Sequence, residues 1–191
     1  MIEVRIHGRG GQGNVVAAYL LATAAIHEGR YGQAFPAFGA ERRGAPVVAF
    51  VRITAEPLKR RNQVVTPDYL IIQDQALLHV PGVLDGLKPE GAILINSTES
   101  SEQLSAQLQR QVIAIAATEL AKTHLGRPVP NTALLAAFNA LTEILPPDSL
   151  LKVLESRFKG PVLEKNQILI SEARQLVPAG LWATKQQGEA A

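Results

Sequence analysis

The segment His7-Gly8-Arg9-Gly10-Gly11-Gln12-Gly13-Asn14 separates two hydrophobic patterns of different period. Before it, Ile2, Val4 and Ile6 alternate with polar neighbours, as in a half-buried strand. After it, residues 15–22 form an unbroken apolar run that continues, with one threonine, to Ile26. That composition suits a helix packed closely on a sheet, with Gly29 as its left-handed C-cap. Gly8, Gly10 and Gly13 meet the G-x-G-x-x-G spacing, and Gly11 is a fourth glycine. Backbone N–H groups can therefore face an anion at the start of a helix with no Cβ in the way. A tight strand-to-helix turn that binds nothing satisfies the same spacing, and both readings stand at this point.

In a dinucleotide-binding unit the second strand ends in an acid about twenty residues beyond the glycines, where it holds the ribose. Here Tyr31-Gly32-Gln33-Ala34-Phe35 reads as that strand, it stops at Pro36, and the next acid is Glu41, deep in a loop beside Arg42 and Arg43. The displacement argues against a nicotinamide-dependent dehydrogenase. A stand-alone nucleotide-binding Rossmann-like oxidoreductase is kept as an alternative. Residues 47–53 are the next strand, with Pro46 at its first position, where a missing N–H is tolerated.

Three further short apolar runs follow: 69–73 ending at Asp74, 92–95 ending at Asn96-Ser97-Thr98, and 112–117 ending at Thr118-Glu119. They alternate with helical stretches over 75–87, bent at Pro81-Gly82, and 101–109, the order expected of a mainly parallel sheet with crossover helices. The fold expected is α/β: a three-layer Rossmann-like domain over 1–177, with a helical C-terminal region over 131–177. Asn131 or Thr132 caps a helix running to about 145. Leu150, Leu151, Leu154 and Phe158 share a face of the next, and Gly160-Pro161 introduces the last. Residues 178–191 read as a flexible tail, except that Trp182 packs on the last helix or anchors a partner. Ligands of such sheets bind outside the carboxyl ends of the strands, where the glycine turn, Asp74, Asn96 and Thr118 are expected to emerge. Each of those polar residues is equally suited to capping the helix that follows it.

A net charge of +2 and 5% aromatic residues argue against a nucleic-acid partner. No apolar run approaches the roughly 18 residues needed to cross a bilayer, so no membrane association and a cytoplasmic location are expected. Cysteine is absent, so no disulfide, zinc ribbon or cysteine-ligated iron–sulfur cluster can be built from this chain, and any such cofactor belongs to a partner. The four histidines show no metal-ligand spacing; His7, beside the glycine turn, is the one placed to touch a ligand, and a satisfied structural histidine is the favoured reading there. No nucleophile elbow, Walker lysine or thiamine-binding motif is present, so no catalytic residue and no metal ligand are assigned. Leu58-Lys59-Arg60-Arg61 is either a solvated basic face or, with Arg42, Arg43 and Arg52, one positive patch.

The string 7–14, followed by Gln33-Ala34-Phe35-Pro36, Phe38-Gly39, Glu41-Arg42-Arg43-Gly44-Ala45-Pro46-Val47 and Ala49-Phe50, resembles the gamma subunit of pyruvate:ferredoxin oxidoreductase and related 2-oxoacid:ferredoxin oxidoreductases. The resemblance covers residues 2 to about 177, and the block 41–47 is its most specific part. It implies a non-catalytic subunit of a multi-subunit enzyme that decarboxylates a 2-oxoacid, makes an acyl-coenzyme A and reduces ferredoxin. It also implies thiamine diphosphate on alpha and beta subunits and iron–sulfur clusters on beta and delta-type subunits. The 41–46 block looks more like pyruvate-type gamma subunits than oxoglutarate-type ones. The family often follows its Pro-Asn-Thr segment with Leu-Gly; Leu135-Ala136 stands there instead, which puts any contact needing that glycine in doubt. Coenzyme A carries several phosphates. Gly8, Arg9, Gly10, Gly11, Gln12, Gly13, Arg42 and Arg43 are therefore the candidate phosphate or coenzyme A contacts, with Arg60 and Arg61 nearby in the chain. A purely structural subunit whose glycine turn binds no ligand is the remaining alternative.

Overall fold

The fold was analysed in a computed structural model, which describes residues 1–37, 44–59 and 62–183. Six strands form one sheet: β1 (Ile2–Arg9), β2 (Tyr31–Pro36), β3 (Pro46–Thr54), β4 (Tyr69–Ile72), β5 (Ala92–Asn96) and β6 (Gln111–Ile115), in the order β2-β3-β1-β4-β5-β6. The pairings β1–β4, β4–β5 and β5–β6 are parallel, and β3 runs antiparallel between β1 and β2. The mainly parallel α/β sheet is as expected. One connection is not. The helix after the glycine turn, α1 (Asn14–His27), does not deliver the chain to the neighbour of β1 but to the outer edge, and β3 returns as a hairpin to fill the gap. The strand lying parallel beside β1 is β4, so the acid at the end of β1's parallel neighbour is Asp74.

Alternation along the strands divides the core into two layers. Val4, Ile6, Ala49, Val51, Tyr69, Ile71, Ala92 and Leu94 face α1 and the helices α4 (Asn131–Thr142), α5 (Ser149–Arg157) and α6 (Gly160–Gln175). Leu70, Ile72, Ile93 and Ile95 face the opposite layer, which holds α2 (Ser101–Leu108) and a short 3-10 turn, Gln75–His79. The helical stretch expected over 75–87, bent at Pro81-Gly82, is replaced by this 3-10 turn and a run of tight turns, because Pro81 interrupts it and Gly82 and Gly86 take positive φ. A helix absent from the sequence reading, α3 (Ala117–Leu125), follows β6.

Beyond the expected start of the tail, Gly180 N donates to Ala140 O and Trp182 N to Leu141 O at 2.7 Å. Trp182 is fully buried and stacks on Tyr69 at 5.7 Å between ring centroids. Residues 178–183 are thus fastened to the domain through the buried Trp182, while Pro178, Ala179 and Leu181 stay exposed, and residues 184–191 lie outside the described set. Strand β1 also departs from the half-buried reading, because Arg5 and His7, in its outward positions, are both buried under the 62–86 connections. Arg52, offered as part of a surface patch, is 1% exposed; its Nε meets Glu3 Oε1 at 2.7 Å directly across the β1–β3 pair, and its guanidinium lies over Phe35.

Candidate functional site

Helix α1 leaves β1 on one side and the 75–79 turn leaves β4 on the other, so a crevice opens where the two carboxyl ends part. A cleft of about 330 Å³ occupies this position, lined among others by Gln12, Gln73, Asp74, Asn96 and Thr118. The residues expected to converge from four separate stretches of sequence do so. Their hydrogen bonds also show capping, the other role open to them. Asp74 Oδ1 accepts from Ala76 N at 2.9 Å, capping the 3-10 turn. Asn96 Oδ1 accepts from Thr118 N, while Asn96 Nδ2 donates to Thr118 Oγ1 and to Gln73 O. Asn96 therefore caps α3 from another element, since Ala116, at the N-cap position, has no side-chain acceptor.

The glycine turn satisfies part of its own polar backbone. Arg9 N donates to Gln12 Oε1 at 2.7 Å, Gln12 N to Arg9 O, and Gly10 N to Ala45 O. Arg9 turns its guanidinium to Asp74, Nε to Oδ2 at 2.6 Å, and donates Nη1 to Gly44 O. The acid beside β1 is thus engaged by Arg9. Two of the predicted contacts, Arg9 and Gln12, act here as braces of the turn. The N–H groups of Gly11 and Gly13 make no hydrogen bond among the described residues, and α1 has neither a side-chain cap nor an acid in its first turn. Gly13, at φ 77°, is the N-cap residue, so the positive end of the helix dipole adjoins the turn. The predicted Arg42 and Arg43, and Arg60 and Arg61, lie outside the described residues.

Sequence reasoning missed Gln73. It follows β4 with 0% exposure, and neither its Oε1 nor its Nε2 has a hydrogen-bond partner. Gly8 leaves it room, since a β-carbon there would stand 3.3 Å from Gln73 Oε1. A buried amide with both functions open is rare and costly, on the order of 1–3 kcal/mol per unmet group, and is readily accounted for by a water or ligand in the cleft it lines. In the sequence it is one glutamine at the end of an apolar run, with no periodic signal to single it out.

His7 does not reach this cleft. Its side chain lies on the β1 face that carries Arg5, and Arg5 Nε donates to His7 Nε2 at 2.9 Å. Burial, then the neighbouring Arg5 charge, push its pKa down to about 3, so the ring is neutral with its proton on Nδ1.

Comparison with known proteins places this geometry among related chains. The sequence profile described as pyruvate ferredoxin/flavodoxin oxidoreductase matches residues 3–176. The pyruvate synthase subunit PorC of Methanothermobacter marburgensis is 48% identical over 166 residues, covering 87% of this chain and 92% of that one. The pyruvate/ketoisovalerate oxidoreductases common subunit gamma of Pyrococcus furiosus is 44% identical over 176 residues, covering 91% and 95%. The crystal structure of the pyruvate oxidoreductase subunit PORC of Thermotoga maritima superposes with a TM-score of 0.81 at 33% identity, covering 91% of this chain and 95% of that one.

Proposed function

The chain belongs to the pyruvate ferredoxin/flavodoxin oxidoreductase family, as a gamma-type subunit of a multi-subunit oxidoreductase, and on that premise we propose how it serves the complex. The complex is cytoplasmic, takes pyruvate as its oxoacid, forms an acyl-coenzyme A and passes electrons to ferredoxin. Thiamine diphosphate resides on alpha and beta partners and iron–sulfur clusters on beta and delta-type partners. The complete lack of cysteine in this chain supports the placement of clusters elsewhere. The Pyrococcus relative is named as common to pyruvate and ketoisovalerate oxidoreductases, and a subunit shared by two enzymes is poorly placed to choose between their substrates. Oxoacid choice accordingly lies with the thiamine-bearing chains.

The observation that carries a role for this chain beyond scaffolding is the cleft at the β1–β4 divide. Gln12 and the unpartnered amide of Gln73 line it, and the turn that supplies Gln12 also carries, at the uncapped start of α1, the N–H groups of Gly11 and Gly13, which have no partner among the described residues. Phosphate oxygens of coenzyme A suit the N–H groups, and one of its amides or its adenine edge suits a glutamine that has both a donor and an acceptor to offer. Exposed Val16, Tyr19 and Ile26 on a helix with no Asp, Glu, Lys or Arg support burial of α1 against another subunit. Native purification through a tag on this chain tests the reading. Recovery of thiamine- and iron–sulfur-bearing chains, with coenzyme A-dependent pyruvate oxidation, is expected; recovery of this chain alone would overturn it.

A further inference from the structure

Strand β2 is an outer edge of the sheet, and its pairing with β3 fixes which of its backbone groups face outward. Ala37 N donates to Val48 O at 2.8 Å, and residues 37 and 48 continue the β2–β3 register. Hydrogen-bonded and open positions alternate along an antiparallel pair. Tyr31, Gln33 and Phe35 therefore turn their N–H and C=O groups to β3, and Gly32, Ala34 and Pro36 turn theirs outward. Among the described residues no strand lies beside them, and the N–H groups of Gly32 and Ala34 have no partner. Pro36 falls at an outward position, where its missing N–H costs the β3 pairing nothing. Edge strands that stay in water are ordinarily guarded by charged side chains, and β2 has none. The uncharged margin continues onto α1, which exposes Val16, Tyr19 and Ile26, and Tyr31 at the start of β2 is exposed as well.

Helix α1 lies directly over this edge, since a β-carbon on Gly32 would collide with Ala22 O. A second copy joined edge to edge about a two-fold axis would place its own α1 about 5 Å from this one, one strand spacing away. Packed helices need about 8–10 Å between their axes, so the occupant is a chain with no helix over its own edge. We propose that an extended segment of another subunit of the complex adds to β2 as a seventh strand. The N–H and C=O groups of Gly32 and Ala34 set its register. Its side chains are uncharged, small where α1 overhangs them and β-branched or aromatic on the other face, against Tyr31 and Phe35. The inference rests on the assembly reading above and names the contact by which β2 joins it.

The test is amide exchange with residue-level mass spectrometry, on the isolated full chain and on the native complex. In the isolated chain Gly32 and Ala34 exchange about a hundredfold faster than Gln33 and Phe35, and in the complex they slow to match them. Ala34→Pro deletes an outward donor and none of the bonds to β3, and it lowers retention of that partner about tenfold. Because a proline can disturb β2 itself, Tyr31→Lys is the second variant: it puts a charge on the exposed margin and lowers retention with the melting temperature unchanged. Fast exchange of both amides in a complex that holds its partners overturns this inference and leaves the subunit reading standing. Failure to recover any partner overturns both. Slow exchange in the isolated chain also overturns it, assigning the edge to a second copy if the native mass is that of a dimer and to this chain's own residues if it is that of a monomer.

Discussion

The side-chain amide nitrogen of Asn131 stands 2.7 Å from where a β-carbon on Gly13 would lie, so the start of α4 closes against the start of α1 across 118 residues of chain. Asn131 Nδ2 also donates to Gly13 O at 3.4 Å. Gly13→Ala is expected to destabilise the chain by about 2 kcal/mol or more, combining left-handed strain with displacement of Asn131. In urea denaturation, Gly13→Ala with Asn131→Ala should recover part of the loss, the contact, and leave the strain. Full recovery would mean that the φ of 77° costs nothing.

Gln73→Leu separates function from stability. Removing a buried amide that the folded chain leaves unpartnered should hold or raise the melting temperature, while KM for coenzyme A in the assembled enzyme rises several-fold. A variant that loses stability and keeps its KM would show that the amide is internally satisfied and has no part in binding.

The depressed His7 pKa makes stability depend on acid. The unfolded histidine takes up a proton near pH 6.5, whereas the folded one stays neutral until about pH 3. Through that window the unfolded state holds more protons, so the contribution is complete above about pH 7 and is lost as the pH falls, up to a limit on the order of 4 kcal/mol. Subtracting the urea stability of His7→Gln, whose amide still accepts from Arg5, removes the carboxylates common to both proteins. The difference should be flat at neutral pH and move against the wild type on acidification. A flat difference throughout would show that His7 titrates normally.

Tyr19→Arg combined with Ile26→Lys should leave the circular dichroism and melting temperature of the chain within normal surface-mutation scatter, about 0.5 kcal/mol, because both side chains are exposed. Co-purification of the partner subunits should fall sharply. Undiminished stoichiometry would assign α1 to a free surface of the complex.

The parts of the fold legible in the sequence are those where chemistry changes abruptly. Four fully apolar residues of β4 give way to Gln73-Asp74, and β5 ends at Asn96, which marks both the strands and the end of the sheet that holds the cleft. The detour through β2 and β3 left no such mark, since an outer hairpin and a crossover to an inner strand require the same alternation. Helix α3 escaped notice because it buries only Ala117 and Ala121, too few for a visible stripe. Arg5 and His7 occupy positions that read as outward-facing; only the chain from 62 to 86, folding over that face, makes them interior. The glycine turn was legible as a turn, but the tie made by the Arg9 side chain depended on Asp74 and Gly44, each far away in sequence.

Asn96 binds three elements with a single amide, joining the end of β5 to the residue after β4 and to the first turn of α3. One rim of the cleft is therefore preorganised. The entropy of arranging it is spent when the chain folds, and a molecule arriving there has only its own freedom and that of the Gln12 side of the cleft to lose. Differences in affinity among ligands should then be written in their dissociation rates, with association varying little, because the wall they meet is already in place.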